Sequence, residues 1–124
     1  MENRLFDISG RIALVTGAGS GIGRTISETM AEFGAHVVCA DIREDWAKET
    51  ANLISKHGAK TLACKTDTSK QEEVKEMFAR TFKEFGKLDI LINNAGIATK
   101  SAMLHEMPLE DWKPGKVIKI YVSF

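Results

Sequence analysis

Four short apolar runs recur along the chain at fairly even spacing: RIALVT at 11–16, AHVVCAD at 35–41, AKTLACK at 59–65 and LDILIN at 88–93. Each is rich in Val, Ile, Leu and Ala and too short for a buried helix, so each reads as a strand covered on both faces. The segments between them have helical period. Ile22, Ile26, Met30 and Phe33 fall on one stripe, as do Trp46, Thr50, Leu53, Ile54 and His57, and then Val74, Met77, Phe78, Phe82 and Phe85. Gly34, Gly58 and Gly86 stand where these helices should stop, and Ser69 with Glu72 has the spacing of a capping box opening the third. Strictly alternating β-α-β-α-β-α-β leaves little choice of fold. It predicts an α/β domain with a parallel, Rossmann-like sheet of four strands, right-handed crossovers and helices on both faces, in strand order 3-2-1-4.

Bulk properties narrow the partners. Seventeen basic side chains balance seventeen acidic ones over 124 residues, so no basic footprint for nucleic acid or an anionic membrane is expected. The start, MENRLFDISG, puts Glu2, Arg4 and Asp7 where a signal peptide needs an apolar run, and no stretch approaches the length of a membrane span. A cytoplasmic protein with a small-molecule partner is the expectation. Cys39 and Cys64 each sit inside an apolar run and read as small buried hydrophobes rather than as a disulfide or redox pair.

The first strand runs directly into TGAGSGIGR, 16–24, at the head of the first helix. Glycines there allow positive φ and close backbone approach, and the N–H groups of the new helix face any anion that settles on the loop. The spacing is G-x-x-x-G-x-G, at Gly17, Gly21 and Gly23, and not G-x-G-x-x-G, since Ile22 stands where the third glycine of that pattern would fall. A tight turn without a ligand is the competing reading. Asp41 closes the second strand twenty residues after Gly21; its carboxylate suits the two hydroxyls of an adenosine ribose, or equally a helix cap ahead of Arg43. At the end of the fourth strand stands NNAG, 93–96, beside the first strand in the expected order and so at the topological switch point where ligands bind such sheets.

Taken together, TGAGSGIG, Asp41, Asp67 after the third strand and NNAG after the fourth resemble the short-chain dehydrogenase/reductase superfamily over residues 10 to about 112. LEDW, 109–112, is similar to bacterial 3-oxoacyl carrier-protein reductases and glucose-dehydrogenase-like members. The resemblance implies a dinucleotide-binding domain over 1–112. Gly17, Ser20, Gly21, Ile22 and Gly23 would hold a pyrophosphate, Asp41 the adenosine ribose, Asp67 and Thr68 the adenine edge, and Asn94 with Gly96 the region near the nicotinamide ribose. Asp67 as an N-terminal helix charge and Asn93 as a sheet-bracing amide are the plainer alternatives. NAD is the implied cofactor in preference to NADP, because Asp41 opposes a 2′-phosphate and Ser20, not a basic residue, precedes Gly21; Arg43 dissents.

The family chemistry is hydride transfer between a nicotinamide and a carbonyl or alcohol carbon, with a Tyr-x-x-x-Lys pair handling the proton. Here the single tyrosine, Tyr121, has no lysine four residues on, and Pro114-Gly115 interrupts the helix that the resemblance implies. The expectation is therefore a chain holding the cofactor half without the catalytic half. It would end on an off-pattern apolar tail at 113–124, imposed by a frameshift, an altered splice or a deliberate fragment. The alternative is a non-catalytic nucleotide-binding or interaction module. Exposed β-prone segments at 116–124 and at the outer edge of the fourth strand predict self-association.

Overall fold

The structure is a computed structural model that describes residues 7–95. Gly96, Pro114-Gly115, Tyr121 and the apolar tail at 113–124 lie outside the described residues. Seven elements follow in chain order: β1 (Ile12–Thr16), α1 (Gly21–Glu32), β2 (His36–Asp41), α2 (Glu44–Ser55), β3 (Thr61–Lys65), α3 (Gln71–Phe85) and β4 (Ile90–Ile92). The sheet is parallel throughout in the order β3-β2-β1-β4. Leu14 pairs with Val38 on one side and Leu91 on the other, and Val38 with Leu62.

Period-two alternation sorts the strands between two cores. Val15, Val37 and Cys39 pack under α1 and α2 against Ala31, Ala51 and Ile54. Leu14, Val38, Ala40 and Cys64 pack on the opposite face against Val74 and Met77 of α3. Helices therefore cover both faces, and the central strands read as unbroken apolar runs for that reason. Leu14, Ile54 and Met77 are fully buried, each stabilising the fold by roughly 1.5–3 kcal/mol. The cysteines lie on adjacent strands but in opposite cores, both buried and free. Burial pushes the Cys39 thiol up to about 12 and raises that of Cys64.

Gly34, Gly58 and Gly86 have φ of 101°, 85° and 76°; the left-handed turn that stops each helix is one that other residues rarely adopt. The helix faces differ from the large-residue stripes in the sequence. In α1 the buried positions are Gly23, Ser27 and Ala31, while Ile22 and Phe33 stand open and Ile26 and Met30 pack only partly. Small residues at every fourth position let α1 lie close on the sheet, which pushes the larger neighbours to the rim. Phe82 and His57 are likewise exposed. The capping box is also corrected: the residue before α3 is Lys70, with no side-chain cap bond. Ser69 donates both its N–H and its hydroxyl to Asp67 Oδ1, at 3.0 and 2.6 Å, and Glu73, not Glu72, reaches back to accept the Asp67 N–H. Asp67 captures the hydroxyl that a capping box would have used.

Candidate functional site

Parallel strands end together, so the carboxyl ends of β1, β2, β3 and β4 deliver Thr16, Asp41, Thr66 and Asn94 to one edge of the sheet. The glycine loop crosses that edge and is pinned from several directions. The Ala18 N–H donates to Ala40 O at 3.1 Å, the buried Thr50 hydroxyl of α2 donates to Ala18 O at 2.9 Å, and the Gly19 N–H donates to Asp41 Oδ2 at 2.9 Å. Thr16 closes the β4 side. Its fully buried Oγ1 accepts the N–H groups of Asn94 and Ala95, each at 3.0 Å, and donates to Ile92 O at 3.4 Å. A hydroxyl that accepts twice and donates once fixes the turn after β4 against the start of the loop.

The glycines are there for space as much as for conformation. Gly17 has φ of 66°, and a Cβ on it would meet Ala95 Cα and Asn94 Nδ2, each at 3.1 Å. On Gly23 a Cβ would fall 2.0 Å from Gly17 O, inside the backbone that carries the loop. Gly19 is closed by Asp41 and by Trp46 Cβ, 2.5 Å from where its own Cβ would stand. Gly21, with φ of 56°, faces open space. The loop is thus tight beneath and empty above.

Above it lies the N-terminus of α1. The first N–H groups of any helix lack intrahelical acceptors, and here Ser20 supplies no side-chain cap and the first turn contains no acidic residue. The other two helices also lack side-chain caps, but α2 carries Glu44 and Asp45 in its first turn and α3 carries Glu72 and Glu73. Those carboxylates offset the positive helix end. At α1 the positive end is left for an outside anion, and the residues present fit a pyrophosphate in charge and in backbone clearance.

Asp41 is buried, and it braces the turn ahead of α2 and the glycine loop rather than capping the helix, which follows Arg43 with no side-chain cap bond. Oδ1 accepts the Arg43 N–H at 2.9 Å, as a turn residue ahead of α2 does, and Oδ2 accepts Gly19. Its carboxylate keeps acceptor capacity beyond those two bonds. The backbone of Asp41 also accepts the Thr66 N–H at 2.8 Å, which sets Asp67 and the buried Thr68 on the same edge. The two bonds from Ser69, its hydroxyl first, outweigh partial burial and hold Asp67 below the usual carboxylate range. Thr66 Oγ1 is buried without a hydrogen-bond partner among the described residues. Asn94 Nδ2 comes within 3.5 Å of Gly17 O, a long contact. Of the residues named from sequence, Gly17, Ser20, Gly21, Ile22, Gly23, Asp41, Asp67, Thr68 and Asn94 all stand at this edge. The sequence reading passed over Thr16 and Thr50. Thr16 was visible as the residue leading into the first glycine; nothing local distinguishes Thr50 from an ordinary helix position.

Comparison with known proteins agrees with this geometry. The family model for short chain dehydrogenases matches residues 11–122. A short chain dehydrogenase/reductase of Aspergillus oryzae is 40% identical over 109 residues, covering 87% of this chain and 42% of the relative. Glucose 1-dehydrogenase 2 of Bacillus subtilis is 36% identical, with 94% and 45% covered. Among solved structures, a 7α-hydroxysteroid dehydrogenase in complex with NADH and 7-oxoglycochenodeoxycholic acid superposes with a TM-score of 0.85 at 33% identity, covering 98% of this chain and 47% of that one. The chain belongs to the short-chain dehydrogenase family. It spans less than half the length of these relatives.

Proposed function

We propose that the chain binds a nicotinamide dinucleotide at the carboxyl edge of its sheet, as the cofactor-binding part, residues 1–112, of a cytoplasmic oxidoreductase. The observation that carries this reading is the contrast at the helix ends: α1 alone among the three described helices has no acidic residue in its first turn, and it alone follows a glycine loop. In this reading the N–H groups at Gly21, Ile22 and Gly23 hold the pyrophosphate and Ser20 flanks it. Asp41 accepts from the adenosine ribose, Asp67 and Thr68 border the adenine, and Asn94 lies toward the nicotinamide; Gly96, outside the described residues, is assigned there by the family resemblance alone. The bound nicotinamide supplies hydride transfer to or from a carbonyl or alcohol carbon. The chain's own residues bind and orient it; none of those described here is assigned the proton, and the small-molecule substrate calls for groups beyond them.

Family relatives solved with NADH or NAD support a nicotinamide cofactor, and Asp41 favours NAD over NADP. Two like charges about 4 Å apart at an intermediate dielectric repel by roughly 1–4 kcal/mol, which disfavours a 2′-phosphate beside this carboxylate. Calorimetric titration of the full chain with NADH and NADPH is the test. Micromolar to millimolar affinity is expected, on the order of −4 to −8 kcal/mol. Asp41→Asn keeps an acceptor for the Gly19 N–H while removing the charge, so it should narrow the preference for NADH by about tenfold. An unchanged preference would leave Asp41 as a turn residue only.

Self-association belongs to the same proposal. Among the described residues β4 pairs with β1 on one side only, and Ile90, Leu91 and Ile92 are half-buried; an open outer side would be a template for a further strand. Size-exclusion chromatography of the full chain beside one ending at Trp112 checks this. A shift of the shortened chain toward monomer is expected, and aggregation on trimming would reverse the reading.

A further inference from the structure

Cofactor choice at this site has a second determinant. Arg43 stands two residues past Asp41, its N–H bonded to the Asp41 carboxylate. A guanidinium on that backbone, free to turn toward the carboxylate, would offset its charge and supply a planar fork of donors for a phosphate. It is not free. The Arg43 guanidinium lies 4.0 Å from the centroid of the Trp46 ring, and Nη2 is 3.5 Å from Asp45 Oδ2. Trp46 Cβ packs against the glycine loop at Gly19, where an added Cβ would stand 2.5 Å from it, and the ring beyond it is partly open to solvent.

We propose that Trp46 is a specificity-determining residue: by holding the Arg43 guanidinium over its ring, beside Asp45, it keeps that guanidinium from pairing with the Asp41 carboxylate, so that the Asp41 charge stands uncompensated and the 2′-hydroxyl form of the cofactor is selected. Gly19 contributes by leaving room for the Trp46 Cβ. Trp46 thus acts through Arg43 and touches no reacting atom. The proposal rests on the dinucleotide reading of the site, and it concerns only the ratio between two ligands that differ by one phosphate.

The test measures the affinities of the full chain for ADP-ribose and for 2′-phospho-ADP-ribose in the wild type, Trp46→Phe, Trp46→Leu, Arg43→Gln and the Trp46→Leu/Arg43→Gln double variant. Leucine keeps the Cβ under the loop and removes the ring face. The ratio should move toward the phosphorylated ligand by about fivefold in Trp46→Leu and by about twofold in Trp46→Phe, in keeping with a cation–π contact of ordinary strength. The shift should vanish at high salt, because it reports a charge contact, and should be absent from the double variant and from Arg43→Gln alone. Should Trp46→Leu unfold, the phenylalanine variant decides by itself. An unchanged ratio, a uniform weakening of both ligands, or a shift that survives loss of Arg43 overturns the role of Trp46. A wild type that binds neither ligand overturns the dinucleotide reading instead, and the two failures are told apart by that control.

Discussion

The two edges of the sheet handle their polar groups in opposite ways. At the amino edge several polar groups close on one another among the described residues. Asp89 accepts the Ile12 N–H at 2.9 Å and pairs with Arg11 and Lys87, His36 Nδ1 accepts the Lys60 N–H at 3.0 Å, and Asp7 accepts both groups of Ser9. At the carboxyl edge Thr16, Thr50 and Asp41 tie the framework together, while Thr66 Oγ1 is buried without a partner among the described residues. The surface facing outward stays open: the α1 N–H groups have no cap or carboxylate, Gly21 faces open space, and Ile22 is 73% exposed. An edge that satisfies itself supports the fold. One whose base is bonded while its upper donors stay open is what the proposed dinucleotide requires.

That contrast breaks most readily at Gly23. Gly23→Ala drives a methyl into Gly17 O, and overpacking against backbone, at about 1–3 kcal/mol or more, should outweigh the gain of up to about 1 kcal/mol in helix propensity. Thermal unfolding should report the loss, and dinucleotide binding should fall with it. Thr16→Val leaves the Ala95 N–H without its acceptor and the Asn94 N–H with Ile92 O alone, for about 1–3 kcal/mol by denaturant titration. Binding should weaken too, because the β4 turn is no longer held to the loop. Thr50→Val removes one donor from Ala18 O and should cost about 1 kcal/mol. The smallest effect is expected at the other edge.

Asp89 is held below the usual carboxylate range, first by the Ile12 N–H, with smaller help from Lys87 and Arg11. A folded-state pKa below the unfolded value of about 3.9 contributes stability that is fully present above that value and is lost as pH falls through the folded one. Asp89→Asn should therefore flatten the acid limb of a melting-temperature profile and change dinucleotide binding not at all. Weakened binding in that variant would break the division between the edges.

The architecture was legible because strand and helix periods alternate without ambiguity, and the positive-φ glycines marked the helix ends. What escaped the sequence was decided by competing neighbours, some distant in the chain and one, Asp67, only two residues from Ser69. The stripe Ile22, Ile26, Met30 and Phe33 promised a buried face for α1, whereas the close approach of helix and loop buries Gly23, Ser27 and Ala31 instead. Ser69 and Glu72 have capping-box spacing, yet Asp67 stands nearer to the serine hydroxyl and takes it. For the site, the glycine spacing and Asp41 could be read directly, since backbone clearance and charge belong to single positions. The roles of Thr16, Thr50 and Trp46 depend on which strand ends and helix starts come together, and only the register of the sheet supplies that.

The central claim is that the open donors of α1 exist for a pyrophosphate, and amide resonances of the full chain report on them one by one. On titration with ADP-ribose, the N–H signals of Ile22 and Gly23 should shift most and saturably, and Gly19 should follow through Asp41. Ile12 and Asp89 should stay where they are, and adenosine without phosphates should leave Ile22 and Gly23 unmoved. Saturable shifts centred on the amino edge, or α1 signals indifferent to ADP-ribose while the fold is intact, would contradict it.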